Sequence, residues 1–270
     1  MKQIEAAVFD VDGTLYDYHD GKIHDSTVDA ICRLKKRGVT VIIASSRAYP
    51  ELSQECIERI GADYYVAASG HSVQDSVGRS IFAERFSCEQ TELLVSLARK
   101  FGAGLTLKYD TYLCMYSQPE EMKKVFTNIG PNCGAGCRYC PSMDYHAGEL
   151  PLGFTIRGEN GIRDQICEEL KKYPLYFRME LYRNGVVADI YHPQSNKMTA
   201  LTYLTRRLGF SAEKCIAFGD GGNDVQMIKW AGIGIAMGNA REELKEVADR
   251  VCGASWEDGI ATMLEELNLI

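Results

Sequence analysis

Two apolar runs in this chain each end in an acidic loop, and they constrain the fold more than any other feature. Residues 6–10 read AAVFD and lead into DVDGT (10–14); residues 215–220 read CIAFGD and lead into GDGGND (219–224). A continuous apolar run of this length, without polar alternation, is the signature of a strand buried on both faces of a parallel sheet. Open α/β sheets place their chemistry beyond the carboxyl ends of such strands. The paired carboxylates Asp10 with Asp12 and Asp220 with Asp224 therefore fall where a ligand is expected.

The flanking pattern supports this reading. A helix beginning near Ser26 carries Val28, Ile31 and Leu34 on one face and ends at Gly38. VTVIIASS (39–46) is a second buried strand, 50–60 a helix with Leu52, Cys56 and Ile60 at spacing four, and YYVAASG (64–70) a third strand. Strand, helix, strand, helix, strand implies right-handed crossovers and a parallel sheet. A hairpin over 72–86 turns near Gly78. Helices are then expected at 88–101, 119–129 and 162–172, and strands at 105–109, 111–117, 152–157, 176–182 and 186–191. The βα rhythm returns with a helix over 197–209, a strand over 215–220, a helix over 224–231, a strand over 232–237, a helix over 241–248, and a last helix near 257–267 capped by Ser255. The expected architecture is a Rossmann-like α/β core, 1–83 and 188–270, with an α+β domain inserted at 84–187.

Charge follows the same division. The net charge is -7. Residues 84–187 hold 13 basic and 13 acidic residues, so the whole excess lies in the core segments. An acidic core disfavours nonspecific nucleic-acid binding, which rests on basic surface, and suits a cation site. No apolar run reaches membrane-spanning length. The first ten residues carry no apolar signal segment, so a cytoplasmic protein with mostly reduced thiols is expected despite its ten cysteines.

The acidic loops point to metal-assisted phosphoryl chemistry. Converging carboxylates repel, and a hard divalent cation such as Mg2+ relieves the repulsion through oxygen ligands. Asp10, at the fixed end of its strand, is the candidate nucleophile. An ordinary carboxyl titrates near ~3.9, so Asp10 is expected to be ionised at neutral pH without a separate base. Asp12 is the candidate general acid and base, Thr14 a loop-holding hydroxyl. Ser45 ends the second strand, where its hydroxyl and nearby amides suit phosphate oxygens. Lys197 opens a helix, where a cation is unfavourable unless an anion compensates it.

These residues resemble the haloacid dehalogenase-like (HAD) superfamily, specifically its Cof-type sugar-phosphatase branch with a type 2 (C2B-like) cap, over essentially the whole chain. The first motif stands as DVDGT, the second as Ser45-Ser46-Arg47, the third as Lys197 in SNKMTAL, and the fourth as GDGGND; a closing loop matches as GIAMGNA (234–240). The resemblance implies a Mg2+-dependent phosphatase that hydrolyses phosphate monoesters of small metabolites, sugar phosphates above all, through an aspartyl-phosphate on Asp10. Asp12 would act as acid and base, and Ser45, Ser46, Arg47, Lys197 and Asn223 would bind the phosphoryl group. Asp10, Asp12, Asp220, Asn223 and Asp224 would form or position the metal site, and the insert would close over it. Ser46 and Met198 stand where glycine is usual, and Ser69-Gly70-His71 where Asn-Gly-Ala is common; His71 is a further substrate candidate. Arg178, Glu180 and Arg183 are candidate contacts from the cap.

Other readings stay open at this point. A phosphomutase uses the same acid and base, and a non-catalytic phospho-ligand-binding protein can share the fold. The partner expected is a small phosphorylated metabolite, with no nucleic acid or membrane, and the chain a monomer or homodimer. In the cap, Cys133, Cys137 and Cys140 with His146 have the residue types of a structural Zn2+ site; unliganded thiols are the other reading.

Overall fold

The computed structural model describes residues 4–17, 19–127, 136–182 and 184–270. The chain divides into two compact units: Met1–Ser46, Gln54–Arg79 and Asn196–Ile270 form the first, Arg47–Ser53 and Ser80–Ser195 the second. This differs from the sequence division over 47–53, 80–83 and 188–195.

The first unit begins with β1 (Ala6–Phe9), every residue of which is buried. α1 (Asp25–Lys36) follows. It starts one residue before Ser26, whose hydroxyl instead reaches Asp258; His24 occupies the N-cap position and makes no side-chain cap bond. β2 (Thr40–Ala44) and β3 (Tyr64–Ala67) run parallel to β1, and β4 (Ser72–Asp75) returns antiparallel to β3. The helix expected over 50–60 is broken. A short 3-10 turn, Tyr49–Glu51, and a π-type turn, Cys56–Ile60, stand in its place. The apolar spacing of Leu52, Cys56 and Ile60 mimics a helix, but Glu51 is drawn into the second unit.

The longer segment of that unit opens with β5 (Ser80–Ala83). α2 (Cys88–Phe101) follows a reciprocal capping box between Ser87 and Gln90. The rest comprises β6 (Gly104–Lys108), β7 (Leu113–Ser117), α3 (Pro119–Thr127), β8 (Cys137–Tyr139), β9 (Gly153–Arg157), α4 (Ile162–Leu170), β10 (Arg178–Leu181) and β11 (Val187–Tyr191). Its sheet has the order β10-β11-β9-β6-β7-β8. β11 pairs with β9 and β10 on its two sides, which is why the strand is not divided at residue 188. Alternation sorts the sheet's faces. Leu105, Leu107, Phe154, Ile156, Ala188 and Ile190 enter one apolar core with Leu94, Ala98, Ile166 and Leu170 of α2 and α4. Lys108, Thr155, Asp189 and Tyr191 take the opposite parity.

Those residues hold a buried ionic cluster. Lys108 Nζ lies 2.9 Å from Asp189 Oδ2 and 3.2 Å from Glu51 Oε2, and donates to the Tyr191 hydroxyl at 2.9 Å. Thr155 donates to the other Asp189 oxygen at 2.6 Å. Burial pushes Glu51 above its ordinary pKa, with Lys108 pulling against it.

The chain re-enters the first unit through α5 (Lys197–Leu208), capped by Asn196, whose side chain accepts from the Thr199 amide at 3.0 Å. β12 (Cys215–Gly219), α6 (Val225–Trp230), β13 (Ile233–Ala236), α7 (Glu242–Lys245), β14 (Arg250–Val251) and α8 (Gly259–Glu266) complete it. The strand order β14-β13-β12-β1-β2-β3-β4 puts β1 between β2 and β12. Phe9 and Phe218 stack at 5.2 Å between these neighbours. The two acidic loops therefore leave adjacent central strands at the same sheet edge. No helix among the described residues is long and apolar enough to cross a membrane.

Candidate active site

Asp10 is the first residue beyond β1, and its amide still donates to Phe218 O at 3.0 Å, so the neighbouring strand fixes its backbone. Its side chain is buried. Lys197 Nζ donates to Asp10 Oδ1 at 2.5 Å and to Asp224 Oδ1 at 2.6 Å. The anion required for a lysine in the first turn of α5 is thus supplied twice over. The second Asp224 oxygen accepts from the amides of Asp220 and Gly221, at 3.1 and 2.9 Å. Asp224 therefore orients both the ammonium and the fourth-motif loop.

Carboxylate oxygens of Asp10, Asp220 and Asp224 lie within 4.8 Å of one another. Three acids against one ammonium leave a net negative cluster when all are ionised. Burial raises Asp10 well above the usual carboxylate range, reinforced by Asp224 and opposed by Lys197. Asp220 is pushed up to about 7 by burial and by Asp224. The ordinary aspartate value behind the expected ionisation of Asp10 contains neither this burial nor Asp224. Burial alone would lower Lys197, but Asp10 and Asp224 outweigh it and hold the ammonium above its ordinary value. Such a set fits a hard divalent cation, which removes the repulsion and favours oxygen donors. Asp12, half-buried on the same loop, acts on both Asp10 and Asp220 as a further negative charge.

The second motif packs beside the fourth. Ser45 is buried, its amide donating to Val66 O at 2.8 Å and its carbonyl accepting from Ser69 N at 3.0 Å. Asn223 Nδ2 donates to Ser46 Oγ at 2.7 Å. The side chain that Ser46 adds in place of glycine is therefore what joins the two motifs. Arg47 belongs with the second unit, where its guanidinium donates to Glu51 O at 3.3 Å. Ala68, Ser69 and Gly70 all have positive φ, and His71 is buried. Gly70 has φ +93°, and a Cβ there would lie 2.1 Å from Asn196 O. Only glycine lets this turn approach the start of α5, and so the turn helps set where Lys197 begins.

Other expected residues have partners of their own within the second unit. Arg178 and Glu180 pair with each other on β10, and Arg178 also donates to Ser195 O at 3.1 Å. Arg183 and Cys133 lie outside the described residues. The zinc reading of the cap is not supported. His146 is buried, with Nδ1 2.8 Å from the Tyr116 hydroxyl and Nε2 2.8 Å from Glu92, so neither nitrogen faces Cys137 or Cys140 as a ligand. Cys140 instead contacts Ser142 and Asp144. Thr14 Oγ1 is buried without a hydrogen-bond partner and does not hold the loop as expected. Asn239 holds it instead. Its Nδ2 donates to Gly13 O at 2.8 Å and its Oδ1 accepts from Ser255 N at 3.0 Å. Ser255 therefore does not cap α8, whose N-cap position is Asp258. Asn239 lies in the GNA stretch of the closing loop, so the sequence carries its signal in that motif without indicating what the side chain binds.

The α/β core thus places a buried lysine and three carboxylates together at the ends of adjacent strands. The model of the haloacid dehalogenase-like hydrolases matches residues 7–264, and the chain belongs to that family, in its Cof-type branch. Among its relatives are the putative phosphatase YkrA of Bacillus subtilis, 28% identical with 97% of each chain covered, and the 5-amino-6-(5-phospho-D-ribitylamino)uracil phosphatase YcsE of the same organism, 27% identical over 96% of this chain and 93% of the relative. The structure of the HAD subclass IIB sugar phosphatase BT4131 shares the fold, with TM-score 0.83 at 23% identity over 98% of this chain and 100% of that one. The protein is a phosphatase.

Proposed function

We propose that this phosphatase hydrolyses phosphate monoesters of small metabolites, with sugar phosphates the favoured class, through a covalent phosphoryl group on Asp10. The observation that carries the reading is the contact of Asp10 with Lys197 inside a three-carboxylate cluster. Asp10 and Asp220 would hold Mg2+ together with the Asp12 carbonyl, while Asp224, its oxygens occupied by Lys197 and two amides, positions them. Bound there, Mg2+ supplies the positive charge that keeps Asp10 ionised and neutralises the phosphoryl oxygens.

Asp10 Oδ attacks phosphorus as the ester P–O bond breaks. Asp12 donates its proton to the departing alkoxide. Asp12, now a carboxylate, takes a proton from water; that water attacks phosphorus, the Asp10–phosphorus bond breaks, and inorganic phosphate leaves. Lys197 and the Ser45 hydroxyl bind phosphoryl oxygens through both steps. A mutase would need a second substrate hydroxyl where the water sits; no observation favours it.

The test is phosphate release from purified protein across a panel of sugar phosphates, nucleotides and other phosphorylated metabolites, with and without chelator, beside Asp10→Asn. Release that requires both Mg2+ and Asp10, highest in kcat/KM on sugar phosphates, supports the proposal. Metal-independent release, or release retained by Asp10→Asn, contradicts it.

A further inference from the structure

The loop between β1 and α1 carries the sequence DYHDGKIH (17–24), with two aspartates and two histidines in eight residues, none used by the site above. Asp17 is buried at 3% exposure. Its Oδ1 accepts from the His19 amide at 2.7 Å and lies 3.0 Å from His19 Nδ1; its Oδ2 lies 3.0 Å from His24 Nε2. Among the described residues its ion-pair partners are these two imidazoles and no lysine or arginine.

Asp20 completes the group. Ligand atoms of Asp17, Asp20 and His24 lie within 4.8 Å of one another. Ligands ~2.0–2.1 Å from one ion stand about 3.3 Å apart in a tetrahedron, so the Asp17–His24 separation is near a coordination edge. The loop is closed to hold them: Asp17 N donates to Lys22 O at 3.0 Å and Gly21 N to Asp17 O at 2.9 Å, with Gly21 at φ +68°. Asp20 is exposed and His24 partly so, which leaves the group open to an ion from solvent. His19 holds the second Asp17 oxygen, and its ring packs edge-on against Trp256 at 4.2 Å. That is the arrangement of an outer partner that orients a ligating carboxylate.

We propose that Asp17, Asp20 and His24 form a second divalent-cation site, separate from the Asp10 cluster, for a borderline ion of the Zn2+ class. The imidazole sets the preference. Mg2+ selects oxygen donors, as in the Asp10 cluster, whereas a mixed nitrogen and oxygen set suits Zn2+, Co2+ or Ni2+. His24 is able to serve because α1 begins without a side-chain cap, leaving its ring to Asp17. The inference does not depend on the phosphatase mechanism.

The test uses Co2+ as probe on the full chain, stripped with chelator and then held in saturating Mg2+ so that the Asp10 cluster is occupied. Visible absorption and tryptophan fluorescence are followed. The expected result is one Mg2+-resistant equivalent of Co2+, with quenching that disappears in Trp256→Phe while the absorption band stays. Asp20→Ala, which also removes the acceptor of the Lys22 amide at 3.0 Å, and His24→Ala should each weaken Co2+ binding at least about tenfold. Asp220→Asn should leave it unchanged. Absence of Mg2+-resistant Co2+, or equal affinity in Asp20→Ala and the parent protein, overturns the proposal and leaves a hydrogen-bonded loop staple.

Discussion

Replacing Lys197 by methionine removes the ammonium between Asp10 and Asp224 while nearly preserving side-chain volume. Lys197 is 1% exposed, and its contacts to the two carboxylates are 2.5 and 2.6 Å. Breaking a buried ion pair from one side costs about 3–5 kcal/mol, because the remaining charge is left uncompensated. For a chain of this size each kcal/mol moves Tm by about 2–4 °C, so metal-free Lys197→Met should melt about 6–20 °C below the parent at pH 8. Acid should narrow that gap. The Lys197 pKa is raised, so its own contribution is fully present below the ordinary lysine value and does not change between pH 5 and 8. Asp10 is already raised with the ammonium in place, and rises further without it. The variant therefore favours the protonated carboxyl more than the parent does, and the Tm difference should be smaller at pH 5 than at pH 8. Scanning calorimetry in chelator at both pH values reads this directly. A Tm difference under about 2 °C at pH 8, or an equal difference at pH 5, would refute the claim that Lys197 compensates these carboxylates. Phosphate release by the variant should fall about 100- to 1000-fold, as for loss of one charge-stabilising donor.

Asp220 gives the metal-free protein a second pH dependence. Its folded pKa, about 7, exceeds that of an ordinary aspartate, so stability falls as pH rises from about 4 to about 7; Mg2+ should flatten that slope in a Tm-against-pH series. Gly70→Ala places a Cβ 2.1 Å from Asn196 O at φ +93°. It should lower Tm and, by shifting the start of α5, reduce kcat more than 10-fold, whereas Gly78→Ala, at a positive-φ position in the Asp75–Arg79 turn, should lower stability only. Lys108→Met leaves Glu51 and Asp189 facing each other in the second unit and should destabilise that unit by about 3–5 kcal/mol, read by denaturant unfolding.

The parts of the fold legible in the sequence are those where local pattern and tertiary environment agree. Ala6–Phe9 and Cys215–Gly219 carry no polar side chain because both faces of their strands are covered, and the acidic loops mark their ends. Lys197 is legible because a cation in a helix's first turn demands an anion. The rest depends on distant partners. The apolar spacing over 50–60 has a helical period, but Glu51 is buried by Lys108 and Asp189, which no local pattern encodes. The cap cysteines have metal-like spacing, yet His146 is committed to Tyr116 and Glu92. Asn239 rather than Thr14 holds the first-motif loop because loop bonding depends on which donor reaches Gly13 O. The ionisation of Asp10 is hidden from the sequence for the same reason. An ordinary aspartate pKa contains neither burial nor the neighbouring Asp224.

The central claim is that Asp10 carries the phosphoryl group. The most direct measurement is borohydride trapping during steady-state turnover of the best substrate with Mg2+, followed by peptide mass spectrometry. An aspartyl-phosphate is reduced to homoserine, so the account predicts homoserine at position 10, dependent on both substrate and Mg2+. Homoserine at another position, or an unmodified Asp10 peptide in protein that shows a burst of product release, would contradict it.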